Sequence, residues 1–242
     1  MNLKSLSIVF PFFNEEKRLK LSFQKLKKTL KDLKNIDVEI ILVNDGSYDA
    51  SDIMAKKFIS KLNKSNKKKI KYISYKKNKG KGYAVKMGVL KAKKKWVLTC
   101  DIDFSAEPKN ILNWQKNNFV ISNKICYFGS RRKYTKDVRY KLYRKVLGDL
   151  FVGIKNLLFN INILDTQCGF KLYPRKIARK IFQKITEYGY IHDIEISILL
   201  KKKSINVVEL PVKWTHVSGS KLNIFTDGAA MIFRLIVLSL KY

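Results

Sequence analysis

Cysteine is scarce in this chain. Cys100, Cys126 and Cys168 are the only three in 242 residues, and no two form a CxxC pair. So odd and sparse a set argues against a disulfide framework and points to a reducing compartment. It also removes the usual ligands of a structural zinc site. Cys168 as a nucleophile competes with the plainer reading of a small buried thiol. Long hydrophobic runs are absent too. No stretch of about 18 uncharged apolar residues is available to span a bilayer. The longest apolar stretch near the end, Gly228 to Leu240, is interrupted by Arg234. Residues 1–7 lack the apolar core of a signal peptide. There is no internal repeat and no Pro/Gly/Ser-rich linker, so the expectation is one domain over residues 1–242. Acidic side chains are few, 19 against 51 Lys plus Arg, for a formal net charge of +32. Such a field draws anions. Nucleic acid, anionic lipid and phosphorylated substrates all qualify, and a merely solvated lysine-rich surface gives the same count. With 46% hydrophobic residues the chain is not a disordered polycation.

Strand-like and helix-like segments alternate through the first half. Leu6 to Phe10, Val38 to Val43, Ile70 to Tyr75 and Trp96 to Cys100 read as strands, rich in β-branched and aromatic residues. Between them, 15–33 has helical spacing, with Leu19, Phe23, Leu26, Leu30 and Leu33 on one face. Helices are also predicted over 49–62 and 82–92. This rhythm implies an α/β fold, a mostly parallel Rossmann-like sheet with helices on both faces. The second half predicts helices over 110–116, 140–160, 175–184, 194–203 and 227–241, with strands over 125–129 and 205–214.

Polar turns follow the first four strands, where open α/β sheets bind ligands. The fourth turn is Asp101-Ile102-Asp103. Alternate residues of an extended chain point the same way, so both carboxylates can face one hard cation, Mg²⁺ or Mn²⁺, that also holds phosphate oxygens. The alternative is a pair of solvated turn carboxylates before Pro108. The first turn, Pro11 to Glu16, can offer an acid to a base or ribose, or can simply start a helix. The second, Asn44-Asp45-Gly46-Ser47, can bind a nucleoside through Asp45, or can be a capped turn. The third, Asn78 to Gly82, carries Lys81. Its glycines allow close approach to phosphate, and the next helix adds a positive end.

Taken together, SIVFPFFNEEKRL, EIILVNDGSYDAS, NKGKGYAVKMGVLKA and LTCDIDFSAEP resemble the family-2 glycosyltransferases of the A-type nucleotide-sugar fold. FGSRR, DTQCGFKLYPR, DIEISILL, VVELPVKW and HVSGSKLN resemble the dolichyl- or polyprenyl-phosphate glucosyltransferases in particular, with the dolichyl-phosphate mannose synthases as near relatives. The match runs nearly the whole chain in order. It implies nucleoside contacts from Pro11, Phe13, Glu15, Val43 and Asp45. It implies that Asp101 and Asp103, with Ile102 between them, bind metal and diphosphate, and that Ser105 stands where some relatives add a third metal ligand. Arg131 and Lys221 match basic residues near the sugar diphosphate or lipid phosphate, and Asp165 a sugar-contacting or base carboxylate. Asn44 departs from the family's acid, and Ile102 from its small central residue. An arginine found near Thr215 or His216 in the mannose-synthase branch is absent, which favours the glucosyltransferase branch.

The implied reaction is attack by a polyprenyl phosphate oxygen on the anomeric carbon of a nucleotide sugar, with inversion. UDP-glucose is the expected donor, ahead of UDP-N-acetylglucosamine and GDP-mannose. The lipid acceptor implies an active site facing an anionic membrane surface, hence a cytoplasmic protein peripheral on the cytoplasmic face. The helices over 140–160 and 227–241 are apolar on one side and basic near their ends, which suits an interface, though both can instead cover the sheet. The rivals are a family-2 transferase with a polysaccharide or soluble acceptor, and a basic nucleic-acid-binding protein. The last leaves the acids after the strands unexplained, so no specific nucleic acid is expected as a partner.

Overall fold

A computed structural model describes residues 3–65, 70–117, 121–133, 142–217 and 224–242. For 63–65, 142–147 and 224–227 only the backbone is described. Seven strands form one sheet: β1 (Ser5–Phe12), β2 (Asp37–Asn44), β3 (Ile70–Ser74), β4 (Trp96–Thr99), β5 (Cys126–Ser130), β6 (Lys171–Pro174) and β7 (Val207–Pro211). Their order is β3-β2-β1-β4-β6-β5-β7. All neighbours are parallel except β6, which runs antiparallel to both β4 and β5. The helices are α1 (Glu16–Asp32), α2 (Ser51–Ser65), α3 (Lys81–Lys91), α4 (Asn110–Lys116), α5 (Leu142–Phe159), α6 (Arg175–Phe182), α7 (His192–Lys202) and α8 (Ile224–Lys241).

The period of two along β1 divides the core. Leu6, Ile8, Phe10 and Phe12 face one way, against Leu19, Phe23 and Leu26 of α1 and Ala55, Phe58 and Leu62 of α2. Phe23 stacks on Phe58 with ring centroids 4.0 Å apart. Val9, with Ile41 and Val43 of β2, faces the other way, against Ala84, Val85 and Val89 of α3. Both faces of the sheet are therefore covered, and its strands read as near-continuous apolar runs.

The order of strands positions the site. The chain runs outward from β1 to β2 to β3, then crosses back through α3 to place β4 on the other side of β1. The turns after β1 and β4 therefore diverge, which opens a crevice at the carboxyl ends of the strands.

One strand lies outside the predicted set. β6 is four residues long, begins with a lysine and ends on Pro174, so it carries no apolar alternation. Lys171 is nonetheless buried. Because β6 is antiparallel and pairs Lys171 with Thr99, the segment 165–170 before it arrives beside the carboxyl end of β4.

The four-residue steps over 140–160 predict one apolar face, and the structure divides them. Leu150 and Leu158 are exposed, while Ile154 packs on the core. Steps of four overshoot the 3.6-residue turn, so such a stripe winds round the helix. Leu142 and Val146 have no described side chains.

Candidate active site

The crevice is a cleft of ≈ 540 Å³. Residues from seven segments meet there: the turns after β1 and β2, the start of α3, the turn after β4, Arg131 after β5, the loop before β6 and the start of α7.

The first two turns are stitched together. Asn14, at φ 52, is held by its N–H to Ser47 Oγ (2.9 Å), and its Oδ1 accepts from the Tyr48 N–H (3.0 Å). The Glu15 N–H donates to Ser51 Oγ (2.7 Å), and the Glu16 N–H to Asp49 Oδ2 (3.2 Å). This rigid frame presents Phe13 and Glu15 to the cleft. The Phe13 ring meets Tyr48 edge-on at 5.7 Å. Glu15 receives Arg18 through both oxygens, Nε at 2.6 Å and a terminal nitrogen at 2.5 Å. Arg18 lines the cleft as well. Burial pulls its basicity down, but the hydrogen bond and charge of Glu15 and the charges of Asp103 and Asp101 outweigh this and raise it. Sequence reasoning missed Arg18; its three-residue spacing from Glu15 on a helix is the signal that could have found it.

Asn44, where an acid was expected, is buried, with Nδ2 3.0 Å from Asp52 Oδ1 and 3.2 Å from Ser74 Oγ. A carboxylate at 44 would face Asp52 directly. Asp52 also takes the Tyr72 hydroxyl and Lys56. Burial raises its carboxyl, but Lys56, Tyr72 and Asn44 bring it down to about 2.

Asp45 reaches the cleft, yet its oxygens are engaged. Oδ1 accepts from Tyr75 Oη (2.7 Å) and Lys79 N–H (2.9 Å), and Oδ2 from Asn78 Nδ2 (3.0 Å) and Gly80 N–H (3.0 Å). Four donors fill a carboxylate's capacity. Asp45 thus shapes the loop that starts α3. Asp45→Ala leaves those donors without their acceptor and is expected to cost about 2–3 kcal/mol in denaturant unfolding. Stability equal to the parent would show that the loop holds itself.

The paired acids sit on a turn rather than on extended chain, closed by the Phe104 N–H to the Asp101 carbonyl (3.2 Å). Ile102 turns into the core, and Asp101 and Asp103 line the cleft. Asp103 Oδ1 accepts the Ser105 N–H at 2.9 Å. Ser105 itself is buried, does not line the cleft, and serves Asp103 through its backbone. Val43 also stays out of the cleft: its side chain packs on α3 beside Gly88. Lys81 Nζ lies 2.7 Å from Asp101 Oδ1. Burial pushes the Asp101 carboxyl up, but Lys81 outweighs it, with help from Lys171 and Arg131, and holds it low. Burial lowers Lys81, and Asp101, Asp193 and Asp103 raise it further. Gly169 closes against this carboxylate. A Cβ there would stand 2.5 Å from Asp101 Oδ2, so a larger residue would push this carboxylate aside.

Arg131 and Asp165 form one unit. Arg131 donates from its N–H (2.9 Å) and Nε (2.9 Å) to Asp165 Oδ2, and from a terminal nitrogen (2.7 Å) to Oδ1. Its guanidinium also lies over Trp214, 5.8 Å from the ring centre. Asp165 is buried, and Arg131, not Asp165, lines the cleft. Burial raises the Asp165 carboxyl; Arg131 more than reverses that. Beneath lies a second network. Lys171 Nζ bridges Asp193 (2.5 Å) and the Thr166 carbonyl (2.8 Å). His192 Nδ1 lies 2.8 Å from the Gly189 carbonyl oxygen. Cys168 is buried, and burial, then Asp165, push its thiol up to about 12. Lys221 lies outside the described residues.

The cleft between the strand ends thus brings the paired acids together with three cations, Arg18, Lys81 and Arg131. Residues 7–182 match the family described as glycosyl transferase family 2. The chain belongs to glycosyl transferase family 2. As a glycosyltransferase it is similar to the dolichyl-phosphate beta-glucosyltransferases of Dictyostelium discoideum (32% identical, covering 98% of this chain and 74% of that one), Saccharomyces cerevisiae (31%, 98% and 75%) and Homo sapiens (30%, 99% and 76%). Among solved structures it resembles glucosyl-3-phosphoglycerate synthase from Mycobacterium tuberculosis, in complex with Mn²⁺, UDP and glucosyl-3-phosphoglycerate. The TM-score is 0.61 at 18% identity, covering 98% of this chain and 78% of that one. A mannosyltransferase from Pyrobaculum calidifontis in complex with GDP-Man and Mn²⁺ gives 0.64 at 11%, covering 99% and 65%. At such identities the likeness establishes the fold, which is the A-type glycosyltransferase fold.

Proposed function

We propose that this glycosyltransferase moves glucose from UDP-glucose to a dolichyl or polyprenyl phosphate, with inversion. The observation that carries the reading is the near full-length similarity to dolichyl-phosphate beta-glucosyltransferases of three distant organisms. Asp101 and Asp103 would hold Mg²⁺ or Mn²⁺. The donor set fits, since hard oxygens suit these ions. No group of three or more His, Cys, Asp or Glu side chains placed to hold a metal ion occurs among the described residues. Two carboxylates therefore leave coordination positions for water and phosphate oxygens. A bound ion there supplies Lewis-acid stabilisation of the departing diphosphate.

The protein's own groups do the rest. Phe13 and Glu15 hold the nucleoside on a frame that needs no rearrangement. Lys81 at the N-terminus of α3 places a cation and a positive helix end beside the diphosphate. Arg131, clamped by Asp165 and Trp214, offers a fixed guanidinium to the acceptor phosphate or leaving group. Asp165 acts here by positioning Arg131, which donates three hydrogen bonds to it. The acceptor phosphate is anionic near neutral pH and needs no base to attack. Lys221 is a candidate second cation.

The lipid acceptor fits the outer surface. Phe233, Ile236, Val237 and Leu240 are exposed at i, i+3, i+4 and i+7 on one face of α8. Leu150 and Leu157 are exposed on α5, which packs against α8. No helix among the described residues is long and apolar enough to cross a membrane. Such a stripe suits peripheral binding at an anionic, cytoplasmic leaflet, where each nearby lysine contributes about 1 kcal/mol. The double variant Phe233→Glu, Leu240→Glu is expected to reduce co-flotation with anionic vesicles more than fivefold while keeping transfer to a short-chain, water-soluble acceptor. Undiminished flotation would remove α8 from the membrane face.

A donor panel tests the reaction. Dolichyl phosphate with labelled UDP-glucose is expected to give a labelled lipid, with UDP-N-acetylglucosamine and GDP-mannose giving little. Label transferred only to polysaccharide would refute the assigned acceptor.

A further inference from the structure

The cations of the cleft each have a carboxylate: Arg18 has Glu15, Lys81 has Asp101, Arg131 has Asp165. One donor is different. Gln167 lines the cleft, and its amide nitrogen is buried with no hydrogen-bond partner among the described residues. More than about nine in ten buried polar groups are paired. Leaving a donor unpaired costs about 1–3 kcal/mol, so an orphan on a residue that lines a cleft points to a ligand.

Its place indicates which part of the ligand. Asp165, two residues before, clasps Arg131. Gly169, two residues after, closes on Asp101. The strand order puts the nucleoside frame over β1 and β2 on one side of β4 and the Gln167 turn, leading into β6, on the other. A nucleotide sugar with its base over the frame and its diphosphate at Asp101 and Asp103 extends its sugar towards Gln167. A neutral amide is matched to a hydroxyl rather than to phosphate, for which charged donors are already present.

We propose that Gln167 donates a hydrogen bond from Nε2 to a hydroxyl of the transferred sugar and helps select that sugar. This rests on the nucleotide-sugar reading above. Sites that hydrogen-bond a substrate hydroxyl discriminate strongly against analogues lacking it, because the site's polar group is then left unpaired.

The test is calorimetric binding of UDP and UDP-glucose, with Mn²⁺, to the parent and to Gln167→Met. UDP affinity is expected to stay within twofold. UDP-glucose affinity is expected to fall about tenfold, and kcat/KM with it. The melting temperature of the ligand-free variant is expected not to fall, since no internal hydrogen bond is lost; a purely structural role would lower it. Across a series of UDP-deoxyglucoses, the parent is expected to penalise one member at least tenfold and Gln167→Met to be indifferent to it. Gln167→Glu, which replaces the donor with an acceptor, is expected to show the same selective loss and serves if the Met variant does not fold. Equal weakening of UDP and UDP-glucose, or undiminished UDP-glucose binding, would overturn the proposal. Failure of the nucleotide-sugar reading shows differently: the parent itself would then bind none of the donors.

Discussion

Asp103→Ala is expected to lower glycosyl transfer by about 10²–10³-fold or more, the size of losing one well-placed electrostatic contact to the reacting group, about 3–4 kcal/mol. The fold should be unaffected. Asp103 is half-buried at the cleft edge, and its carboxylate accepts the Ser105 N–H two residues on. Its removal also relieves repulsion with Asp101. UDP affinity with Mn²⁺ present should drop to the value of the parent protein without metal. Asp32→Ala, an exposed acid at the end of α1, is the control for net charge and should transfer normally. Full activity of Asp103→Ala would end the metal assignment.

Arg131→Met is expected to damage both stability and activity. The Asp165 carboxylate would remain buried, with the 131 backbone N–H but no guanidinium. An uncompensated buried charge costs about 3 kcal/mol or more, a fall of roughly 6–12 °C in melting temperature for a chain of this size. Transfer should fall with it. The double variant Arg131→Met, Asp165→Leu removes both charges and should regain most of the stability. It should not regain transfer, because the acceptor phosphate would still lack its guanidinium. Recovery of activity in the double variant would show that the pair only holds the fold.

Much of the core was legible because both faces of the sheet are covered. The runs at 6–10, 38–43 and 96–100 have no polar face to confuse the period, and Leu19, Phe23 and Leu26 mark α1 plainly. The paired acids were legible by their place just after the apolar run of β4. β6 was not. Its four residues are defined by pairing with β4 and β5, which are distant in sequence, and its first residue is a lysine buried through Asp193 and Thr166. The same limit applies to the site. Residue type alone offered Asp45 and Asp165 as ligand-binding carboxylates, and the structure adds the partners each already holds. Asp45 is filled by the Asn78–Gly80 loop and Asp165 by Arg131. Gly169 shows the converse, a residue without a side chain whose role exists only through its distance to Asp101.

The most direct test is anomalous diffraction from crystals grown with UDP and Mn²⁺. The expected result is a single manganese peak within coordination distance of the Asp101 and Asp103 carboxylates and of the UDP phosphates, with the uracil beside Phe13 and Glu15. UDP bound elsewhere, with no metal at the end of β4, would contradict the account.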